Sequence, residues 1–360
     1  MAAAERRAYQ TLDGLRGVGA FLVVMRHVPD FFGPVRVPES YLAVDLFYLV
    51  SGFVVAHAYA DRLKAGGFFW TFVKTRIIRL YPLYVFGLLL GVTAAVSAIL
   101  GNPPGGWANW SWPTLTEAIL AGLIMFPQFP GLSANGSTLD GPTWTLLPEL
   151  IANFFYAALI RFMTVPVLIA IMAICGAGLI YGEFHFGTLD IGYGGTDQWA
   201  ALARVGFSFF AGVLVFRFFG AARKIDNEWA SWALMAALTF ALGYSPSDDV
   251  SPWFELGTVL VGFPLLLILA SRFEPGRLTG RVFAYIGLVS YGVYIIHQPI
   301  GNLMRESLEH VVHLPRGWGA LPWSLGFLCF LVAFAGALDR WYDAPVRKAL
   351  RERFMPSGRG

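Results

Sequence analysis

Charge is the scarcest commodity in this sequence. Asp, Glu, Lys and Arg supply 14% of its 360 residues, where a soluble domain carries about 25%. That depletion excludes a solvated shell around a water-soluble core. Cysteine is nearly absent: Cys175 and Cys329 both lie inside apolar runs, so no structural disulfide is expected. His, Cys and acidic residues nowhere show metal-ligand spacing, and no metal and no permanently bound cofactor are expected. An internal repeat is missing as well, which counts against a carrier built from inverted repeats. The longest loop, 101–142, is rich in Pro, Gly and Trp and too short for a core of its own, so residues 1–360 are read as a single membrane domain. The first apolar run contains Arg16 and lacks a small-residue cleavage site, which argues against a cleavable leader. Basic and acidic residues nearly balance, at net +3, and no nucleic-acid partner is expected.

What remains is apolar. Hydrophobic residues make up 56% of the chain and the mean hydropathy is +0.59. Runs of roughly 15 to 20 apolar residues recur throughout, as helices crossing a bilayer require. The fold class is an all-α polytopic membrane protein with about ten spans, at 11–29, 41–60, 79–100, 143–160, 164–182, 199–219, 229–244, 253–271, 282–300 and 321–339. Segment 114–127 (TLTEAILAGLIMFP) is short for a span and carries Glu117. The positive-inside rule decides its status. If it does not cross, every Lys and Arg outside the helices falls on one side except Arg36, Arg305 and Arg316. Both termini are then cytoplasmic, and 114–127 is re-entrant or peripheral.

Within these spans a few ionisable groups demand explanation, because each costs somewhere from ~3 to ~10 kcal/mol at the bilayer centre. Residues 12–27, LDGLRGVGAFLVVMRH, hold Asp13, Arg16, Arg26 and His27. Arg16 and His27 are eleven residues apart, so they share one helix face about 16 Å apart along the axis. The second span, YLAVDLFYLVSGFVVAH, places Asp45 in its outer half and Ser51 mid-membrane. Arg76 and Arg79 follow on adjacent turns at a helix entrance (KTRIIRLYPLY), Glu149 opens the next span (GPTWTLLPELIANFFY), and His297 ends another (SYGVYIIHQPI). Acid and imidazole gather in the outer half and guanidinium in the inner half, which points to a shared cavity. Helix-end anchoring explains Arg76 and Arg79 equally well on the residues alone.

In order and spacing these pieces resemble the acyltransferase-3 family of integral membrane acyltransferases. LDGLRG with the Arg16 and His27 pair, AVDLFYLVSGF, RIIRLYP, TWTLLPELIANFFY and SYGVYIIHQP carry the resemblance, with RWYDAPVRK as a weaker tail. Together they run from about residue 10 to residue 348. Many members have Ser-rich, doubly acidic surroundings at the position of Glu149, where this sequence has Leu147, Pro148 and Leu150, and more often Glu where Asp343 stands. Some also carry a soluble hydrolase-like domain after the membrane part. This sequence ends at Gly360 and is expected to complete its reaction alone or with a partner.

The resemblance implies O-acylation of a glycan, glycolipid or small molecule in a bacterial cytoplasmic (inner) membrane. The implied donor is an acyl-CoA, acetyl-CoA foremost, bound as a substrate. Its phosphates suit Arg76, Arg79 and Arg16, since guanidinium pairs bidentately with phosphate. His27 is the general base or a transient acyl carrier. Glu149 is its first-choice carboxylate and Asp45 the second, in the orienting role of a triad acid. His297 binds the acceptor or is itself the base. Asp13, Ser51, Trp144 and Tyr291 take supporting or acceptor-binding places. A proton-coupled transporter or flippase of a glycan or lipid precursor is the competing class, since intramembrane Asp, Glu and His also serve carriers.

Overall fold

The computed structural model describes residues 9–101, 110–126, 139–194, 196–311 and 317–355, with backbone alone for 305–311. In chain order the helices are α1 (Gln10–His27), α2 (Ala43–Ala65), α3 (Phe69–Gly101), α4 (Trp112–Leu123), α5 (Leu146–Leu159), α6 (Val165–Phe186), α7 (Gln198–Phe219), α8 (Glu228–Gly243), α9 (Ser251–Gly257), α10 (Phe263–Ala270), α11 (Arg277–Val311), α12 (Leu321–Leu338) and α13 (Ala344–Phe354). A π-helical turn, Thr258–Gly262, joins α9 to α10, and another, Asp339–Asp343, joins α12 to α13. Two-residue strands β1 (Ile225–Asp226) and β2 (Phe273–Glu274) pair in parallel, with Ile225 opposite Phe273.

Eight of these helical stretches are long and apolar enough to cross a membrane. The expected spans at 11–29 and 229–244 are present as helices but fall short of that mark. At 16 residues, α8 is about 24 Å long. The deficit of α1 is its charge, Asp13, Arg16 and Arg26 within 18 residues. It lies instead inside the bundle, parallel to α11: Gly17 meets Ile286, Asp13 meets Gly287, and Val28 meets Gly301. A polar helix enclosed by others escapes the lipid penalty its charges would otherwise incur.

A second parallel pair, α2 and α7, is tighter still. A Cβ at Gly52 would sit 1.9 Å from the Phe209 carbonyl oxygen, and one at Gly212 would sit 1.9 Å from that of Leu49. The two glycines let backbones meet where lipid tails supply no hydrophobic force to press helices together.

The segment at 114–127 forms a helix too short to span, described as far as Phe126. α4 has 12 residues, about 18 Å against an apolar core of about 30 Å. It starts at a capping box between Ser111 and Thr114, and Trp110 and Leu115 share a cluster with Ala95 and Ile99 of outer α3. It ends near the middle of α3, where Tyr84 and Tyr81 donate to the carbonyls of Gly122 (2.6 Å) and Leu123 (2.8 Å). The Gly122 carbonyl also accepts the Met125 N–H at 2.9 Å, so Tyr84 is a second donor to it at the helix end. Met125 turns the chain with φ 58°, and by Leu139 it lies against Gly91 of α3.

α3 begins at Phe69, ten residues ahead of the expected span. Arg76 and Arg79 therefore sit inside a helix and face the bundle. Around Pro82, within the same helix, the hydroxyls of Tyr291 and Tyr342 donate to the carbonyls of Leu80 (2.7 Å) and Pro82 (3.1 Å) and tie α3 to its neighbours.

Candidate active site

Two cavities lie one behind the other along α1, both walled by Val44 and Tyr294. The first, about 210 Å³, is lined by Arg16, Arg76, Arg79, Ser51, Glu149 and Tyr291 among others. The second, about 340 Å³, is lined by His27, Arg26, Tyr41, Trp144, Asp190 and Arg204 among others. Asp13 stands beside the first, its carboxylate 3.6 Å from the Arg16 guanidinium.

In the arginine cavity three guanidinium groups face one carboxylate. Glu149, in the first turn of α5, accepts from Arg76 at 2.9 Å and from the Ser51 hydroxyl at 2.6 Å. Arg16 donates to Ser290 at 3.2 Å. Arg79 makes no hydrogen bond or ion pair among the described residues, and its guanidinium faces the cavity. Positive charge thus exceeds negative here, in a pocket partly shielded from water, where attraction for an anion is stronger than at a surface.

The histidine cavity is built differently. His297 is fully buried, and its Nε2 lies 3.2 Å from His27 Nδ1. Each ring also places Nδ1 beside the carbonyl one helical turn earlier, His27 on Val23 at 3.0 Å and His297 on Val293 at 3.1 Å. A carbonyl can only accept, so each neutral ring carries its proton on Nδ1 and leaves Nε2 bare. The His297 Nε2 lone pair then shares the His27 Nδ1–H with the Val23 carbonyl, and His27 Nε2 is the basic atom left unengaged. Both tautomers follow from helix geometry, because a side chain on one turn overlies the turn before it.

This corrects the expected partner of His27. Glu149 is taken up by Arg76 and Ser51, and Asp45 by Arg204, which donates to it from Nε at 3.1 Å with both side chains 1% exposed. A buried carboxylate settles against the nearest full charge, and a neutral imidazole cannot compete with guanidinium. His297 takes the orienting place instead, held by the parallel register of α1 and α11.

Arg204 is the residue that sequence reasoning passed over. It is fully buried, donates to the carbonyls of Ile191 (3.1 Å) and Tyr41 (2.9 Å), and lies 5.7 Å from the Trp144 ring centroid. A lone Arg in the middle of an apolar run was the available signal. Arg26 pairs with Asp190, donates to the Pro38 carbonyl at 2.8 Å and covers the Tyr41 ring. For Tyr41, Asp190 and Tyr193, all in connecting segments, no sequence pattern marked a role.

A family model described as an acyltransferase domain matches residues 9–340, nearly the whole chain. The chain belongs to the acyltransferase-3 family. Its relatives include "Protein 2 in picA locus" of Rhizobium radiobacter, 38% identical over 193 residues that cover 49% of this chain and 94% of that protein. "Acyltransferase MdmB" of Streptomyces mycarofaciens is 24% identical over 373 residues, covering 95% of this chain and 92% of its own. No solved structure matches the chain. As a multi-pass membrane acyltransferase of this family, the protein carries out group transfer, and the carrier reading is set aside. The family's matched region contains every residue of both cavities.

Proposed function

We propose that this acyltransferase moves an acyl group, acetyl in the simplest case, from acyl-CoA to a hydroxyl of a glycan, glycolipid or other small acceptor. The observation that carries the reading is the pair of adjoining cavities, one with excess guanidinium and the other with an oriented, unengaged imidazole nitrogen. Phosphates of the donor pair with Arg79 and Arg16 and exchange onto Arg76, whose carboxylate partner keeps it in place beforehand. The pantetheine arm passes between Val44 and Tyr294, along the roughly 16 Å that separates Arg16 from His27 on α1.

In the second cavity the acceptor hydroxyl donates to His27 Nε2. As its oxygen attacks the thioester carbonyl, that nitrogen takes the proton. The tetrahedral intermediate collapses, the C–S bond breaks, and the departing thiolate takes the proton back from His27. His297 accepts from the opposite nitrogen throughout, so the imidazolium that forms keeps a hydrogen bond to a lone pair. The charges around this cavity are already paired, Arg26 with Asp190 and Arg204 with Asp45, which suits a neutral acceptor that hydrogen-bonds and stacks on Trp144 or Tyr41.

The basic end of the bundle, with Arg161, Arg217, Lys224 and Arg272, is the cytoplasmic one, where acyl-CoA is made, and both termini lie there. That orientation supports a bacterial cytoplasmic membrane as the protein's location. Purified protein given labelled acetyl-CoA is expected to consume thioester only when an acceptor is present. Thioester that stays intact across a panel of glycans and alcohols would overturn the reading. A reporter fused at Gly360 that is active only outside the cell would overturn the orientation.

A further inference from the structure

Behind the histidine cavity three carboxylates from three separate elements are buried together. Glu39 sits in the 3₁₀ turn before α2, Glu183 near the end of α6, and Glu255 in α9, at 6%, 0% and 1% exposure. Two of them are well provided with donors. Tyr41 donates to Glu39 at 2.7 Å. Glu255 receives the Leu189 backbone N–H at 2.7 Å and the Ser251 hydroxyl at 2.8 Å, with Thr188 at 3.4 Å. Glu183 is the exception: neither of its carboxyl oxygens meets a hydrogen-bond donor, yet its turn of α6 packs on the turn of α9 that carries Glu255, with the rings of the neighbouring Phe184 and Trp253 5.5 Å apart. No Lys or Arg stands on α6, α9 or the 188–190 turn; His185 of α6 stacks on the Tyr181 ring at 5.2 Å, and Arg26 in the cavity wall is committed to Asp190. Among the described residues no group of His, Cys, Asp and Glu is arranged to hold a metal ion either.

Two adjacent carboxylates in a dry site without a cation cannot both be charged. We propose that Glu183 and Glu255 hold one proton between them, and that Glu255 so held is a positioning residue for the cavity that takes the acceptor. The chain of contacts is short. Glu255 grips the turn 188–190 by the Leu189 N–H and the Thr188 hydroxyl; that hydroxyl accepts the Asp190 N–H at 3.0 Å; and Asp190 pairs with Arg26 in the cavity wall. The Thr188 hydroxyl also lies 3.3 Å from the Tyr41 hydroxyl, and its single proton serves either Glu255 or Tyr41, so Glu39 and the aromatic wall belong to the same network. A neutral Glu183 supplies the donor that keeps Glu255 in place, and the turn follows.

The assignment of this cavity to the acceptor rests on the function proposed above, so the test has arms that do not need an acceptor. Infrared difference spectra between wild type and Glu183→Gln at pH 7 are expected to show loss of one protonated-carboxyl C=O stretch, since the amide leaves Glu255 ionised. An unchanged carboxyl band overturns the shared proton. In a background with Cys175 and Cys329 replaced by alanine, Tyr193→Cys reports on the same wall. Adding Glu255→Ala is expected to speed its alkylation by N-ethylmaleimide about tenfold, because a wall that has lost its anchor opens more often. Glu255→Gln, which keeps an oxygen for the Leu189 N–H, is expected to restore most of the protection. Equal rates in all three overturn the positioning role, and where Glu255→Ala does not fold, Thr188→Val in the same assay serves instead. With acetyl-CoA and methyl β-D-glucoside as probe acceptor, Glu255→Ala should raise the KM for the glycoside and leave that for acetyl-CoA unchanged. If Trp144→Ala and Asp190→Asn leave glycoside kinetics intact while the infrared and labelling arms succeed, the acceptor reading fails and the proton-sharing device stands.

Discussion

The two cavities along α1 are made of similar residues put to opposite uses. In the arginine cavity Glu149 pairs with Arg76, Asp13 stands 3.6 Å from Arg16 at its edge, and Arg79 has no partner of its own. In the histidine cavity each arginine has its own carboxylate, Arg26 with Asp190 and Arg204 with Asp45. An uncompensated guanidinium in a shielded pocket is a standing attraction for an anion, whereas a paired one is scaffold. The same residue type therefore binds ligand at one end and braces walls at the other. Residue identity does not distinguish the two uses; the charge ledger of each pocket does.

The hardest test of this contrast falls on the histidines. His27→Gln should lower kcat by ~100- to 10,000-fold, the usual cost of losing a general base, with the KM for acyl-CoA unchanged. His297→Ala should also lower kcat, and the double variant should be little worse than His27→Gln alone, since residues acting as a unit are not additive. Steady-state kinetics on purified protein decides it, and additive losses would separate the two rings.

Next in size is the scaffold claim. Asp45→Ala strands a buried guanidinium and should cost about 3–5 kcal/mol, read as a fall in the unfolding midpoint in detergent. Pairing it with Arg204→Met should recover most of that loss. If the double variant stays as unstable as the single, the pair does more than brace the wall.

Arg79→Ala should behave in the opposite way. Stability should hold, while the KM for acyl-CoA rises roughly 10- to 100-fold, as the loss of a charge-assisted hydrogen bond of about 1.5–3 kcal/mol implies. Arg79→Lys should recover part of it, because the charge returns without the fork. A fall in melting temperature with unchanged donor kinetics would move Arg79 to the scaffold and erase the contrast. The smallest effect is expected at Tyr84→Phe, which removes one of two donors from the Gly122 carbonyl near the end of α4: about 1 kcal/mol of stability and no change in donor kinetics.

Most of the helices were legible in the linear pattern, because in a bilayer every backbone group must be satisfied within its own helix and apolar length then reports directly on crossing. That 114–127 is too short to span was legible too, and α4 has 12 residues. So were the chemistry-bearing residues as a set, since Arg16, Asp45, Glu149 and His297 are conspicuous in apolar surroundings. The start of α3 was not legible. Basic and aromatic residues at 69–78 read as a loop to any hydropathy window, although the helix continues through them.

The sequence by itself thus determined the class of the protein, the order of most of its apolar helices, and most of the ionisable groups that sit among them, because burial in lipid penalises charge wherever it occurs along the chain. Only the tertiary structure decided who pairs with whom. The register of α1 on α11 brings His27 to His297, the glycine-mediated approach of α2 and α7 brings Asp45 to Arg204, and the packing of α5 against α2 and α3 delivers Glu149 to Arg76 and Ser51. Pairing is a matter of a few ångströms between helices far apart in the chain. Helical periodicity sets the face on which a side chain lies, but the interhelical distance, and with it the partner, comes from packing.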